Sequence, residues 1–305
     1  MPEGPEVRHN ADLLSRLTLG HRIDELRPVS GKLQRTGLTG AASFKPSIIK
    51  SVTAHGKLIV IRFLDGSALT STLGMSGWWY PSLQQAAKLY DADMAYQSGK
   101  LVLAQDVVRH ALKYSRVELI SNGQPLAVFT DMRNFGNMEY HPQGLSASKI
   151  AERIGLDLLN ELPAKLDNPE QAKHHLLVLK DRASKRLLNM KMGDVALEQC
   201  FIAGLGNIYR AETFWLTGID PHAQLKSLDP ADWLMFCEVG MVVLQIAYAT
   251  AGVMHYPAAF IEGCTGKSSG AHRGHLAYGR TADIFGRPII RDGSFGRALW
   301  RLETI

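Results

Sequence analysis

Pro2 and Glu3 stand side by side near the start of the chain, a secondary amine and a carboxyl. Methionine ahead of a small residue such as proline is expected to be removed, leaving Pro2 as a free N-terminus. An α-amino group titrates near about 8, against about 10.4 for lysine, so far more of it is an unprotonated nucleophile at neutral pH. A helix starting close behind disfavours the protonated amine further. Attack of a secondary amine on a carbonyl-level carbon gives an iminium, an electron sink suited to elimination, and Glu3 can serve as general acid or base. The alternative is a plain Met-Pro start with Glu3 as a solvated charge. Lys57, in His55-Gly56-Lys57, offers a mobile cation beside a strand. Gly204-Leu205-Gly206-Asn207 would aim backbone N–H groups and an amide at a phosphate from a helix N-terminus, and it also reads as a tight turn between helices. Glu6 and Glu212 either organise a site or hold local structure, and the sequence leaves both readings open.

The elements that must position these groups can be read in outline. A chain of 305 residues suggests two domains with a small third module. Its hydrophobic fraction of 46% excludes a largely disordered chain, and its net charge of +5 is weak evidence for nucleic acid by itself. Long unbroken apolar runs, an export signal and Cys-x-x-Cys pairs are all missing, so the expectation is an intracellular, reduced protein without a cysteine metal site. Val7, Ala11, Leu14 and Leu17 form a helical stripe behind Gly4-Pro5. Strand-like runs follow at 58–63, 68–73, 116–120 and 126–130, the last two joined by a hairpin turn at Asn122-Gly123. This predicts a β-sandwich with the first helix laid against it, while 81–113 carries no pattern and reads as an insertion. Helices are expected over 146–160 and 176–188, from Gly204–Asn207 onward, and from Asp229-Pro230. The resulting α+β organisation has a domain at 1–142, a linker at 143–168, a helical domain at 169–252, a mobile loop at 253–277 and a hairpin over 278–305.

Met1-Pro2-Glu3-Gly4-Pro5-Glu6-Val7 resembles the N-terminus of the formamidopyrimidine-DNA glycosylase / endonuclease VIII family, and Gly4 resembles its endonuclease VIII branch. Further segments follow in order. His55-Gly56-Lys57-Leu58 is similar to the family's β-turn lysine. Leu73-Gly74-Met75-Ser76-Gly77 and Asp131-Met132-Arg133-Asn134-Phe135-Gly136 are similar to its two void-filling segments. Leu197-Glu198-Gln199 with Ala203-Gly204-Leu205-Gly206-Asn207-Ile208-Tyr209-Arg210-Ala211-Glu212 resembles the signature of its helix–two-turn–helix module. The stretch from Phe285 to Trp300 resembles the zincless finger of some endonuclease VIII-like members, since no cysteine occurs after Cys264.

The resemblance implies a bifunctional DNA glycosylase and abasic-site lyase of base excision repair, acting on oxidised bases with pyrimidines favoured. Pro2, Glu3, Lys57 and Arg297 would be catalytic, and Met75, Arg133, Phe135, Asn207 and Tyr209 would contact DNA. Glu6, Gly204 and Gly206 would support them. Met75, Arg133 and Phe135 suit the hole left by a flipped nucleotide, being an apolar wedge, a cation and an aromatic plate. The fork of Arg297 suits flanking phosphates. The implied partner of this monomer is damaged duplex DNA, with single strands left open, and neither metal nor soluble cofactor is implied. Two rivals are a damage-binding protein that has lost the chemistry and an RNA-binding protein sharing only the helix–two-turn–helix module.

Overall fold

The stripe Val7, Ala11, Leu14 and Leu17 forms helix α1, Gly4–Thr18, and all four side chains are buried. In the computed structural model, which describes residues 2–90, 94–97, 100–161, 170, 177, 180–181 and 183–303, the chain divides into two units. The first comprises Pro2 with Val7–Ala147, the second Glu3–Glu6 with Ser148–Ile305. Glu3–Glu6 thus groups with the second half of the chain, whereas Pro2 and the rest of α1 group with the first.

The first unit holds β1 (Arg22–Ile23), β2 (Glu25–Pro28), β3 (Ser47–His55), β4 (Leu58–Phe63), β5 (Ala68–Thr72) and β6 (Gly77–Pro81). These are followed by β7 (Met94–Gln97), β8 (Lys100–Leu103), β9 (Ser115–Ser121), β10 (Gln124–Asp131) and β11 (Asn137–His141). Antiparallel pairing gives one sheet of order β1-β3-β4-β5-β11 and another of order β2-β9-β10-β6, as the expected sandwich requires. Alternation along the strands sends Ile59, Ile61 and Phe63 of β4, Trp79 of β6 and Phe129 of β10 into one core with the apolar stripe of α1. Buried Asn10 fixes α1 against β6: its Nδ2 donates to the Trp79 carbonyl and its Oδ1 accepts the Trp79 N–H, each at 2.9 Å. Asn122 and Gly123 have φ of 49° and 73°, the left-handed pair that a two-residue hairpin turn demands. Residues 81–113 are not patternless: a helix at Leu83–Tyr90, the β7–β8 hairpin and a helix at Ala104–Ala111 fill them. The two helices bury one residue each, Ala86 and Val108, too few to show a period.

In the second unit, Pro230–Ala249 begins where Asp229-Pro230 places it, with Asp229 Oδ1 accepting the Ala231 N–H at 2.7 Å. This helix is long and apolar enough to cross a bilayer by composition, but it carries Trp233, Phe236, Val243 and Leu244 into the core beside the Asn207–Thr217 helix. The expected 146–160 helix is shorter, Ala147–Arg153, and Leu156–Asp157 then pairs in parallel with Ile202–Ala203, so this part of the 143–168 stretch is structured rather than a linker. Of the expected 176–188 helix, positions 176, 178, 179 and 182 lie outside the described residues; Ala183 and Ser184 are not helical, and a separate short helix, Lys185–Asn189, starts behind the Ser184 cap. Residues 253–277 are likewise no irregular loop. His255–Tyr256 pairs with His272–Arg273 across a helix at Ala258–Thr265. Tertiary anchoring, invisible as periodicity, orders this segment. Glu212, 0% exposed, accepts the Tyr256 hydroxyl at 2.9 Å and the N–H groups of Leu276, Ala277 and Tyr278. That resolves Glu212 as a structural residue.

The C-terminal hairpin pairs Ile289–Asp292 with Leu299–Leu302. Two carboxylates hold it. Asp283 accepts Trp215 Nε1 at 3.1 Å, Arg287 Nε at 2.7 Å and the N–H groups of Phe285 and Arg287. Asp292 Oδ2 takes Arg301 Nε at 2.7 Å and lies 3.0 Å from His222 Nε2, while Oδ1 accepts the Ser294 N–H. Burial pushes the Asp292 carboxyl up, but its hydrogen bonds from Ser294, Arg301 and His222 outweigh that and hold it well below the usual carboxylate range. A lowered folded value contributes stability that is present above about pH 4 and is lost as pH falls through that lowered value. Asp292→Asn is therefore expected to cost about 2–3 kcal/mol at pH 7, the size of a charge-assisted hydrogen bond inside a protein. Thermal melts at pH 7 and pH 3 check this, since the variant should lose less on acidification than the parent; equal losses would contradict it.

Candidate active site

Two clusters carry the expected residues, one in each unit. In the second unit the centre is Glu3, a carboxylate only 1% exposed. It sits on the N-terminus of the Asn207–Thr217 helix, Oε1 accepting the Ile208 N–H at 3.1 Å and Oε2 the Tyr209 N–H at 3.4 Å. The unpaired N–H groups and the dipole of a helix start favour a negative charge there. Sequence dictates this seat through two glycines. Gly4 donates its N–H to the Gly204 carbonyl at 2.9 Å, and a Cβ on Gly4 would lie 2.8 Å from the Gly204 Cα and carbonyl oxygen. A Cβ on Gly206 would overlap the Glu3 carboxylate itself. The expectation that Gly204 and Gly206 open the backbone to a phosphate is therefore corrected: the chain's own Gly4 and Glu3 occupy that space. Glu3 likewise takes two of the helix N–H groups expected to cradle phosphate.

Glu6 organises this site. Its Oε2 accepts the Glu3 N–H at 2.9 Å, and its Oε1 accepts the Tyr209 hydroxyl. Tyr209 is 1% exposed, so its side chain supports Glu6 and the expectation that it meets DNA is corrected. Burial first, and then the Glu6 carboxylate, raise the Tyr209 phenol far above its ordinary value, which keeps it a donor at any working pH. Pro2, half-buried, directly precedes Glu3 in the chain.

Asn207 is half-exposed at the first position of its helix, and Arg297 lies exposed in the hairpin connection. Sequence reasoning does not single out Arg210, although it stands three residues after Asn207, a spacing that puts both on one helix face. It is 0% exposed, and its Nε and Nη2 donate to Asn207 Oδ1 at 3.1 and 2.7 Å.

In the first unit, Lys57 is half-buried in the two-residue Gly56-Lys57 turn between β3 and β4. Met75 and Phe135 are 39% and 62% exposed, so neither is the ordinary core residue that an apolar side chain usually is. Arg133, also exposed, points Nη1 at Met75 Sδ, 3.5 Å away. Buried Asp131 ties their two turns together, accepting Ser76 Oγ at 2.5 Å, the Arg133 N–H at 3.1 Å and the Gly136 N–H at 2.7 Å. Only the pairing of β10 with β6 makes this organising role visible, because Ser76 and Asp131 lie far apart in sequence. Among the described residues no three His, Cys, Asp or Glu side chains gather as a metal site.

Residues 1–138 match the family model for the formamidopyrimidine-DNA glycosylase N-terminal domain. Endonuclease 8 of Salmonella schwarzengrund is 26% identical over 256 residues, covering 83% of this chain and 81% of that protein. The MutM (Fpg) protein of Thermus thermophilus shares the fold with a TM-score of 0.67 at 21% identity, covering 99% of this chain and 98% of that one. A Lactococcus lactis formamidopyrimidine-DNA glycosylase, solved non-covalently bound to DNA containing an abasic site, gives a TM-score of 0.63 at 20% identity with the same coverage. Residues 1–138 thus match the formamidopyrimidine-DNA glycosylase N-terminal domain, and the chain as a whole is similar in sequence to endonuclease 8 and in fold to the Fpg proteins.

Proposed function

We propose that this protein binds damaged DNA and is a bifunctional glycosylase and abasic-site lyase for oxidised bases, with pyrimidines favoured. The observation that carries the reading is the Glu3 carboxylate seated on a helix N-terminus, one residue after Pro2. With Met1 removed, the Pro2 nitrogen attacks C1′ of the damaged nucleotide and the bond to the base breaks. The base leaves with the bonding electron pair and takes up a proton. Glu3 takes the proton that the Pro2 nitrogen sheds on attack and gives it to the ring oxygen as the sugar opens, so that C1′ becomes part of an iminium with Pro2, while the departing base is protonated from solvent. Loss of a C2′ proton expels the 3′ phosphate, and a second elimination expels the 5′ phosphate. Lys57 holds the phosphate beside the lesion, and Arg297 and Asn207 grip those flanking the flipped nucleotide.

Met75, Arg133 and Phe135 fill the vacated hole. Phe135→Ala should leave stability within about 0.5 kcal/mol, because the ring is already exposed to solvent. It should weaken binding to a duplex with a stable abasic-site analogue about tenfold, the loss of one base–aromatic stack. Competition binding checks this, and unchanged affinity would remove Phe135 from the interface. Asp283 and Asp292 shape the C-terminal hairpin and the turn before it through their hydrogen bonds to Arg287 and Arg301.

Borohydride trapping on duplexes carrying an oxidised pyrimidine tests the whole reading. A covalent protein–DNA adduct is expected, with strand incision when the reductant is left out. Binding without adduct or incision would favour the damage-binding rival, and preference for undamaged RNA the other.

A further inference from the structure

Arg210 is a fully buried cation that no step above uses. Its side-chain nitrogens reach four oxygen sites. Nε and Nη2 donate to Asn207 Oδ1, Nη1 donates to the Gly193 carbonyl, and Nη2 also donates to the carbonyls of Arg297 and of Ala298, the latter at 3.2 Å. None of these acceptors is a carboxylate, and among the described residues no acid lies within ion-pair distance of this guanidinium. Burial lowers its pKa to about 10, with Asp194 opposing and Arg297 adding to the effect, so it stays charged at neutral pH. Burying a cation against neutral oxygens is costly, and packing alone does not call for it.

The geometry explains what that cost sustains. A side-chain amide can present either its oxygen or its NH₂ outward. With Oδ1 held by two guanidinium donors, Asn207 can only turn its NH₂ toward a ligand, the orientation that a phosphate oxygen requires. The same guanidinium holds the main chain of Arg297 and Ala298, while Asp194 Oδ1 accepts the Gly296 N–H at 3.0 Å from the other side. The backbone bearing the Arg297 fork is thus fixed to the side chain that orients Asn207. We propose that Arg210 is a positioning residue that locks Asn207 and Arg297 into a single phosphate-gripping unit, so that neither grips DNA at full strength without the other. This rests on the DNA-binding reading above.

The test is a set of double-mutant cycles on the full chain, read as affinity for an abasic-site-analogue duplex and as single-turnover kcat and KM on an oxidised-base duplex. Arg297→Ala and Asn207→Ala should each weaken binding. Their combined loss should fall short of the product of the two by about fivefold or more, the coupling expected of residues in one network. Arg210→Met should show the same coupling with each of them, and no more than about twofold coupling with Arg133→Ala, which serves as the control in the first unit. Arg210→Lys, which keeps the charge but loses the fork, should not restore the parental kcat and KM.

Cycles that multiply independently, or rescue by lysine, would overturn the proposal while leaving the DNA-gripping reading intact. Should the Arg210 variants fail to fold, the cycle between Asn207 and Arg297 still decides, because it leaves Arg210 in place. If neither Asn207→Ala nor Arg297→Ala affects binding or turnover, the gripping reading itself falls, and this proposal with it.

Discussion

An uncleavable residue placed ahead of Pro2 is expected to abolish both the borohydride adduct and strand incision, a loss of more than about 10³-fold of the kind that follows removal of a nucleophile. The physical reason is that the addition turns the proline nitrogen into an amide, whose lone pair is delocalised into the carbonyl. It can then neither attack C1′ nor carry the iminium. The seat of Glu3 is left intact, because its carboxylate is held by Ile208 and Tyr209 and its N–H by Glu6. Binding to an abasic-site-analogue duplex should therefore survive within a few-fold. The measurement is a side-by-side comparison of the blocked and free chains, after mass spectrometry has established the N-terminal residue of each. Incision that persists in the blocked chain would move the nucleophile elsewhere, and Lys57 would be the first residue to examine.

Gly206→Ala is expected to cost the chemistry nearly as much as removing Glu3. Gly206 has φ of −130° and ψ of −164°, extended backbone that alanine adopts without strain. The atoms nearest to an added Cβ are those of the Glu3 carboxylate, which it would overlap. Either Glu3 leaves the helix N-terminus or the backbone shifts. Overpacking of this kind costs about 1–3 kcal/mol, and the fold should survive it. Loss of a correctly placed acid–base group should slow base excision by about 10²–10⁴-fold. Single-turnover excision measured beside a thermal melt separates the two effects. Combining Gly206→Ala with Glu3→Ala should add little to the worse single variant, since both remove the same group. A Gly206→Ala chain that excises bases at the parental rate would mean that the carboxylate is not needed where it sits.

Much of the scaffold is legible in the sequence because its determinants are local. The stripe of α1, the alternation in β4 and the Asn122-Gly123 turn each lie within a few residues and obey one period or one turn geometry. The start of the Pro230–Ala249 helix is legible for the same reason, since a cap and an N1 proline sit next to each other in sequence. The insertion at 81–113 escapes such a reading because its short helices bury too few residues to show a period, and the segment at 253–277 because its order comes from a partner distant in sequence. Glu212 holds Leu276 to Tyr278 from more than sixty positions away, and no window along the sequence contains both ends.

The candidate site divides in the same way. The sequence by itself determined the reagents: an amine and a carboxyl at Pro2 and Glu3, cations at Lys57 and Arg297, and a wedge and a plate at Met75 and Phe135. Residue type decides what a group can do, so these were readable without coordinates. Tertiary structure alone decided what each group is aimed at. It gave the helix N-terminus and Gly206 to Glu3 rather than to a phosphate, turned Tyr209 inward onto Glu6, and buried Arg210 between Asn207 and the backbone of Arg297. The physical reason is that donors, acceptors and close approaches are satisfied in space, between segments that the sequence keeps far apart.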